Sequence, residues 1–569
     1  MIKGENMNWD LNCDVLVVGS GNGGLTSALC LHEMGVQNVS IIESSDQAGG
    51  TSALSGGGIW IPCNPYAEAL GIKDSYEDAY QYVKATDPEN TVPDKLVRAF
   101  IENGPSMLRF MHEHTRMRYL SLAHYPDYFS NLPGARDGHR SLEPEPFSIT
   151  NLKNRGTYLR DSHPILKIIG LIPMTQTEAH AFNVQSPGWK RLAFKLFFKY
   201  FIDIPQRITG KRARRSTCGS AGVGRLLWSI EEKNIPLHLN TELVDILIED
   251  NKVAGCIVNI NGDRKYIKTR KGIICASGGF EQNQRMRLKY LPKPTDSTWT
   301  TTHKGNNGSV IEIAHRAGAA ISRMQGAWWV PTFKVPGISY AYPSIMEKSY
   351  PGSIVVHKKG KRVANESMNY QMYVRECQKL HDNGIDTSNL WLIFDSNFRK
   401  KYIVSPILTS KLFPDWIIPK SYFCNSFLTK ASSIKELSEK TGIDCEGLKE
   451  TIGRFNEYAI TGKDLDFGRG DTEYDRYYAD PSVKPNPCLS KISKAPYYAI
   501  KIYLGEFGTN GGLDIDENAC VKNTNGEIIE GLYAVGNCAA AILPAYPGPG
   551  STLGPAMTFA FLAAKHISQ

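Results

Sequence analysis

The chain has 569 residues and twelve cysteines, yet no two cysteines stand close enough to form a C-x-x-C pair. That absence removes zinc knuckles and thioredoxin-type redox sites, and no metal site is expected. Single cysteines scattered along a long chain fit a reducing compartment, where they act as small hydrophobes. No uninterrupted apolar run approaches the ~20 residues of a membrane span. The amino terminus carries charges and passes at once into a strand pattern, without an apolar signal core, so a cytoplasmic location is expected. Internal repeats and low-complexity segments are also missing. The net charge of +8 is modest for this length, and no stretch reads as a nucleic-acid module, so no nucleic-acid partner is expected.

What is present is ordinary for a folded protein: 41% hydrophobic and 21% charged residues. The length exceeds what one core supports, so two or more lobes are expected, one interrupted by another. Asp14-Val15-Leu16-Val17-Val18 suits a buried parallel strand. It feeds into Gly19-Ser20-Gly21-Asn22-Gly23-Gly24, then a helix pattern from Leu25 to Met34 and a second strand Val39–Ile42 that runs into Glu43 and Ser44. A lone GxGxxG is weak. Strand before, helix after and an acid at the end of the next strand make it a dinucleotide-binding fingerprint. The glycines let the backbone approach a pyrophosphate at the helix N-terminus, and Glu43 can accept hydrogen bonds from a ribose.

A second glycine- and hydroxyl-rich loop spans Gly49 to Pro62 and includes Gly50, Thr51, Ser52, Ser55, Gly56 and Gly57. Its hydroxyls can bond phosphate and sugar-alcohol oxygens, which suits a long cofactor with a second half to hold. Ile59-Trp60-Ile61 is too apolar for a flexible surface loop. Near the other end of the chain, Tyr546-Pro547-Gly548-Pro549-Gly550-Ser551-Thr552-Leu553 precedes a helix pattern from Met557 to His566. Neither proline has an N–H, so Gly548 and Gly550 supply the only amide donors between Tyr546 and Ser551. A phenol, a few fixed amides and a helix N-terminus can converge there on a small electronegative group.

The loop from Gly49 to Pro62 resembles the flavin loop of the fumarate reductase/succinate dehydrogenase flavoprotein superfamily, in the form found in 3-ketosteroid Δ1-dehydrogenases. The likeness covers nearly the whole chain. Gly531 to Asn537, with Gly536 and Asn537, is similar to the strand and turn that close these FAD domains, and Tyr546 to Ala556 completes the match. The resemblance implies a Rossmann-like α/β FAD-binding domain (residues 1–281, with a helical excursion at about 65–235) interrupted by an α+β substrate domain (282–487) and resumed at 488–569. Val244, in an alternating strand region, and Ala276 and Gly278, at the end of another strand, fall on its return strands against the cofactor's adenosine half. The loop lacks the histidine that anchors FAD in succinate dehydrogenases, which implies noncovalent FAD.

The resemblance also assigns roles. In Gly360 to Tyr370, the position four residues after Glu366 holds arginine in fumarate-reductase-like members; here it is Tyr370. A guanidinium suits a dicarboxylate and a phenol does not, so Tyr370 matches the base of the ketosteroid dehydrogenases. Tyr128, in an aromatic loop that resembles the lid over the steroid, matches its supporting tyrosine. Tyr546 O–H and Gly550 N–H would polarise the 3-keto oxygen, Tyr370 would take the C2 proton, and flavin N5 would accept hydride from C1. A free phenol titrates near 10, so Tyr128 and the local helix field are expected to help ionise Tyr370. A ketosteroid 4-dehydrogenase or another reductase of unsaturated substrates is the alternative. Only one dinucleotide fingerprint is visible, which points to a quinone or other carrier as electron acceptor.

One further segment stands out. Ser186-Pro187-Gly188-Trp189 reads as a helix start with a serine cap. Arg191, Lys195 and Lys199 follow on one stripe, and a basic tail, Lys211 to Arg215, comes later. Two readings of 189–215 stay open: a buried helix with a salt-bridged rim, or a peripheral contact with an anionic membrane.

Overall fold

The computed structural model describes residues 9–423 and 427–569; Cys424 lies outside the described residues. The larger sheet is organised by Leu11–Val18, whose Val15, Leu16 and Val17 are completely or almost completely buried. This strand pairs in parallel with Val39–Ile42 on one side and Asp263–Cys275 on the other. The full order adds Leu237–His238 at one end and Lys252–Ile260, Ile528–Ala534 and Cys520–Lys522 at the other, with Thr241–Glu249 paired antiparallel to Lys252–Ile260. Parallel strands buried on both faces explain the unbroken apolar runs in these segments. The helix Asn22–Glu33 starts three residues before the pattern suggested, directly at the glycine turn. It packs against the carboxy-terminal helix Leu553–Ser568 and against Cys218–Glu232.

A second, six-stranded sheet lies between two runs of the first sheet in sequence. Its spine is Tyr497–Thr509, which pairs along its first half with Leu390–Asp395 and along its second half with Ala327–Phe333. Ser353–Val356, Tyr342–Pro343 and Thr429–Ala431 complete it. The spine lies beyond residue 488, where a return to the first sheet was expected, and the chain rejoins that sheet only at Cys520. Between the early strands run the helices Tyr76–Ala85 and Asp94–His114. No helix among the described residues is long and apolar enough to cross a membrane.

The segment after residue 186 departs from expectation at its start. Gly188, in a left-handed conformation, occupies the cap position of Trp189–Ile202, and no side chain caps that helix. The Ser186 hydroxyl instead donates back to the Ala181 carbonyl, 3.4 Å away. The basic tail is also turned inward. Arg214 pairs with Asp203 at 2.7 Å and Arg215 with Glu178 at 2.9 Å, while Arg212 donates to the Leu159 carbonyl at 2.9 Å.

Candidate active site

A single cavity of about 1260 Å³ runs from the glycine turn of the first sheet to a cluster of tyrosines against the second. At its first end, Gly19 has φ +111°, and a Cβ there would lie 2.5 Å from the Ala276 carbonyl oxygen. Only glycine permits that turn. Gly24 does not line the cavity; a Cβ on it would sit 2.0 Å from the Gly19 carbonyl, so its role is to let the helix approach the turn. The Ser20 hydroxyl donates to Glu43 at 2.6 Å and accepts from the Gly49 amide at 3.0 Å, tying both glycine loops to the acidic residue. Ser52 accepts from the Asn22 amide at 3.0 Å. Thr51 accepts from the His303 amide and from the Asn306 side chain, both at 3.0 Å, and so links the loop to the middle of the chain.

The expected cofactor residues Gly19, Ser20, Gly21, Gly23, Glu43, Ser44, Gly50, Thr51, Ser52, Ser55, Gly56, Gly57, Ala276, Gly278, Gly536, Asn537, Thr552 and Leu553 all line this cavity. Val244 and Ser551 do not. Thr241, Glu242 and Leu243 present the strand's cavity side instead, and Ser551 closes the turn by exchanging hydrogen bonds with Gly548. A passage floored by close backbone, with a helix N-terminus beside it and a carboxylate at its far end, fits the pyrophosphate and ribose of FAD.

At the other end the residues come from three distant segments. The Tyr128 and Tyr370 hydroxyls are 2.7 Å apart. The Tyr546 ring stacks on Tyr128 with centroids 5.6 Å apart and lies 5.9 Å from Tyr370. All three are buried and all three border the cavity, as does Gly550. Each is held by identifiable contacts. The Tyr128 amide donates to the Pro547 carbonyl at 2.8 Å, and Tyr82 donates to the same oxygen at 2.7 Å. Asp127 beside it accepts from Trp60 at 2.7 Å and from Arg140 at 2.8 Å, which fastens the loop of Tyr128 to the loop Gly49–Pro62. Gly550 has φ +106°, and a Cβ there would lie 2.4 Å from the Ile59 backbone, so the turn after Tyr546 nests on the short strand Ile59–Trp60.

Tyr370 is the first residue of the helix Tyr370–Asp382, capped by the Asn369 side chain, which accepts from the Met372 amide. The loop before it is clamped from below. Glu366 accepts from Arg362 at 2.9 and 2.6 Å and from Arg469 at 3.2 Å, all fully or almost fully buried. Asn365 donates to Asp475 at 2.9 Å, joining this loop to the tyrosines at 474–478. Charges buried this deeply are costly unless paired, and these are paired.

Burial raises the Tyr370 and Tyr128 phenols well above their ordinary value near 10. For Tyr370 the Tyr546 neighbour adds to the rise, while the hydrogen bond from Tyr128 opposes it. The lowering by the Tyr128 hydrogen bond is smaller than the rise from desolvation. Tyr546 is raised as well, again by burial, with the neighbouring Thr552 hydroxyl, Gly550 amide and Tyr370 phenol opposing the rise.

Other aromatic rings, none of them expected as site residues, surround these three. Tyr474 meets Tyr128 edge-on at 4.9 Å, Phe507 meets Tyr370 at 5.6 Å and Trp328 meets Tyr546 at 5.4 Å. Tyr125 and Tyr478 share a hydrogen bond of 2.5 Å, and His180 stacks on Tyr477 at 4.2 Å. Burial pushes the His180 imidazole down to about 4, so at neutral pH it serves as a neutral aromatic wall. A signal for part of this was available: tyrosines at 474, 477 and 478 share one helical face.

The family model described as FAD binding domain matches residues 14–553. The 3-oxosteroid 1-dehydrogenase of Mycobacterium tuberculosis (strain H37Rv) is 36% identical over 568 residues, covering 98% of each chain. That of Comamonas testosteroni is 34% identical, covering 97% of this chain and 95% of its own. Among solved structures, the 3-ketosteroid delta1-dehydrogenase from Sterolibacterium denitrificans in complex with 1,4-androstadiene-3,17-dione superposes with a TM-score of 0.94 at 38% identity, covering 98% of this chain and 99% of that one. With a matching FAD-binding model across almost its whole length, and full-length relatives at more than a third identity, the chain belongs to the FAD-binding flavoproteins of the 3-oxosteroid 1-dehydrogenase family.

Proposed function

We propose that this protein desaturates the C1–C2 bond of 3-ketosteroids with noncovalent FAD. One observation carries the reading: phenols 176 residues apart in the numbering, Tyr370 and Tyr546, meet at the end of the same cavity that begins at the dinucleotide turn. FAD bound there supplies an acceptor for the hydride from C1. The chain supplies the rest. Tyr546 O–H and Gly550 N–H hold the 3-keto oxygen and stabilise the charge that develops on it as the neighbouring proton leaves. Tyr370 takes the C2 proton as its phenolate and becomes the neutral phenol, and Tyr128 steadies that phenolate before the transfer by donating to it. The dry aromatic surround strengthens both interactions by excluding water. The residues that line the first half of the cavity hold the nucleotide.

The middle unit is best drawn to about residue 509, because the spine of its sheet ends there. Electrons leave the reduced cofactor for a quinone or another small carrier, a reading supported by the single dinucleotide fingerprint in the sequence. The test is anaerobic mixing with androst-4-ene-3,17-dione. Loss of flavin absorbance with formation of the 1,4-diene supports the proposal. No bleaching, or oxidation only of substrates saturated at C4–C5, sinks it and favours the 4-dehydrogenase reading.

A further inference from the structure

The helix Trp189–Ile202 does two things at once. Its residues fall into four stripes, each repeating every four positions and so each facing one direction. Trp189, Ala193 and Phe197 line the cavity. Leu192, Leu196 and Tyr200 pack inward with Ile168 and Ile172. Arg191, Lys195 and Lys199 are exposed and have no ion pair among the described residues, so the salt-bridged rim is not there. The fourth stripe is the unusual one. Phe194 and Phe198 are 71% and 54% exposed, and Phe201 and Ile202 beside them are also exposed. The short helix that follows leaves Ile208 81% exposed. Leu412, which borders the cavity, is exposed too, and Trp416 four residues later is 83% exposed.

Large apolar side chains exposed together in this number mark an interaction surface. Its border decides the partner. Unpaired cations run along one edge of the phenylalanine stripe, and no carboxylate of this helix is placed to answer them. Aromatic rings that enter an acyl boundary, with lysine and arginine stems snorkelling back to the headgroups, form the pattern of an in-plane membrane helix. We infer that this face docks on an anionic phospholipid bilayer and sets the mouth of the cavity against the lipid, so that a bilayer-dissolved substrate enters between Phe197 and Leu412 without crossing water. What enters rests on the proposed function; the docking itself does not.

The inward-turned tail narrows the contact. Arg212, Arg214 and Arg215 are spent on internal partners, so the charge that faces lipid comes from Arg191, Lys195 and Lys199. The holoenzyme is tested by flotation with phosphatidylglycerol/phosphatidylcholine vesicles and with phosphatidylcholine alone. Wild type should float with the anionic vesicles, and 0.5 M salt should release most of it, because screening shortens to a few ångströms. Phe194→Ser/Phe198→Ser/Ile208→Ser should lower partitioning at least tenfold. Arg191→Gln/Lys195→Gln/Lys199→Gln should lower it several-fold in 0.1 M salt. None of these residues borders the cavity, so flavin content and turnover of dilute dissolved steroid should stay at wild-type level, while turnover of vesicle-held steroid falls. Wild type that stays at the bottom of the gradient overturns the inference, as does equal flotation on neutral lipid or a face that proves to pair two copies of the chain instead. Flotation needs no turnover, so its failure is distinct from failure of the dehydrogenase reading.

Discussion

The two ends of the cavity are made from different parts of the amino acid. At the nucleotide end, backbone forms the floor: Gly19 turns where no side chain fits, Gly24 lets a helix approach, and hydroxyls at Ser20 and Ser52 serve mainly to fasten loop to loop. At the ketone end, side chains form the floor, and the backbone's task is to carry Tyr128, Tyr370 and Tyr546 in from three segments. The first end is centred on a local turn at which Gly19 and Gly24 leave no room for an added atom. The second is assembled over long range and depends on single oxygens. Substitutions should therefore separate them: one end loses cofactor, the other loses rate with cofactor in place.

The sharpest separation comes from Tyr370→Phe. Removing one oxygen from a buried ring leaves its packing intact, and loss of a positioned base costs about 10²–10⁴ in rate. We expect kcat to fall about 10³-fold with the flavin spectrum and FAD content unchanged; near-normal turnover removes Tyr370 from the reaction. Tyr546→Phe should cost about 10²-fold, the usual size for loss of one donor to a developing oxyanion, with weaker binding of ketone ligands measured by flavin perturbation. Gly19→Ala probes the other end. An alanine in the left-handed region costs ~1–2 kcal/mol before the clash with Ala276 is counted, so FAD affinity should drop about 30-fold. The loss should show as apoprotein after gel filtration, and added FAD should restore turnover.

The same contrast explains what could be read without coordinates. The first end was legible because its physics is local: strand, glycine turn, helix and acid lie within a few dozen residues, and the period of the apolar residues declares each element. Thr241 to Leu243 shows the limit there. Which residues of an alternating strand face the cofactor depends on register, and a bulge between Leu243 and Asp245 resets it, so Val244 was expected where Leu243 stands. At the second end, composition could not select three tyrosines from 27; resemblance named them. Tyr474, Phe507 and Trp328 were not singled out because only the long-range fold brings them to these rings: Trp328 and Phe507 on the second sheet, Tyr474 on the short helix Glu473–Tyr477. The exposed stripe of Trp189–Ile202 was hidden for a different reason: periodicity shows that a helix has apolar faces, but not which of them the fold covers.

The smallest of the expected effects tests how the second end manages a phenol as a base. Burial holds the Tyr370 proton well above the usual phenol range, so below pH 9 the ionised form is a minor fraction that grows tenfold with each unit of pH. If Tyr370 acts as its own base, log kcat/KM should rise with a slope near one through the neutral range and still be rising at pH 9. Tyr128 stands 2.7 Å away and can donate to the phenolate but gains nothing comparable from the neutral ring. A hydrogen bond to a charged group contributes about 1.5–3 kcal/mol, or at least one pKa unit. Tyr128→Phe should then displace the rising limb upward by about one unit and lower the rate at pH 7 about tenfold, with the slope preserved. A rate unchanged at every pH, with the limb left where it was, would mean that Tyr128 only packs against the rings at 370 and 546, and the second end would owe its proton transfer to Tyr370 alone.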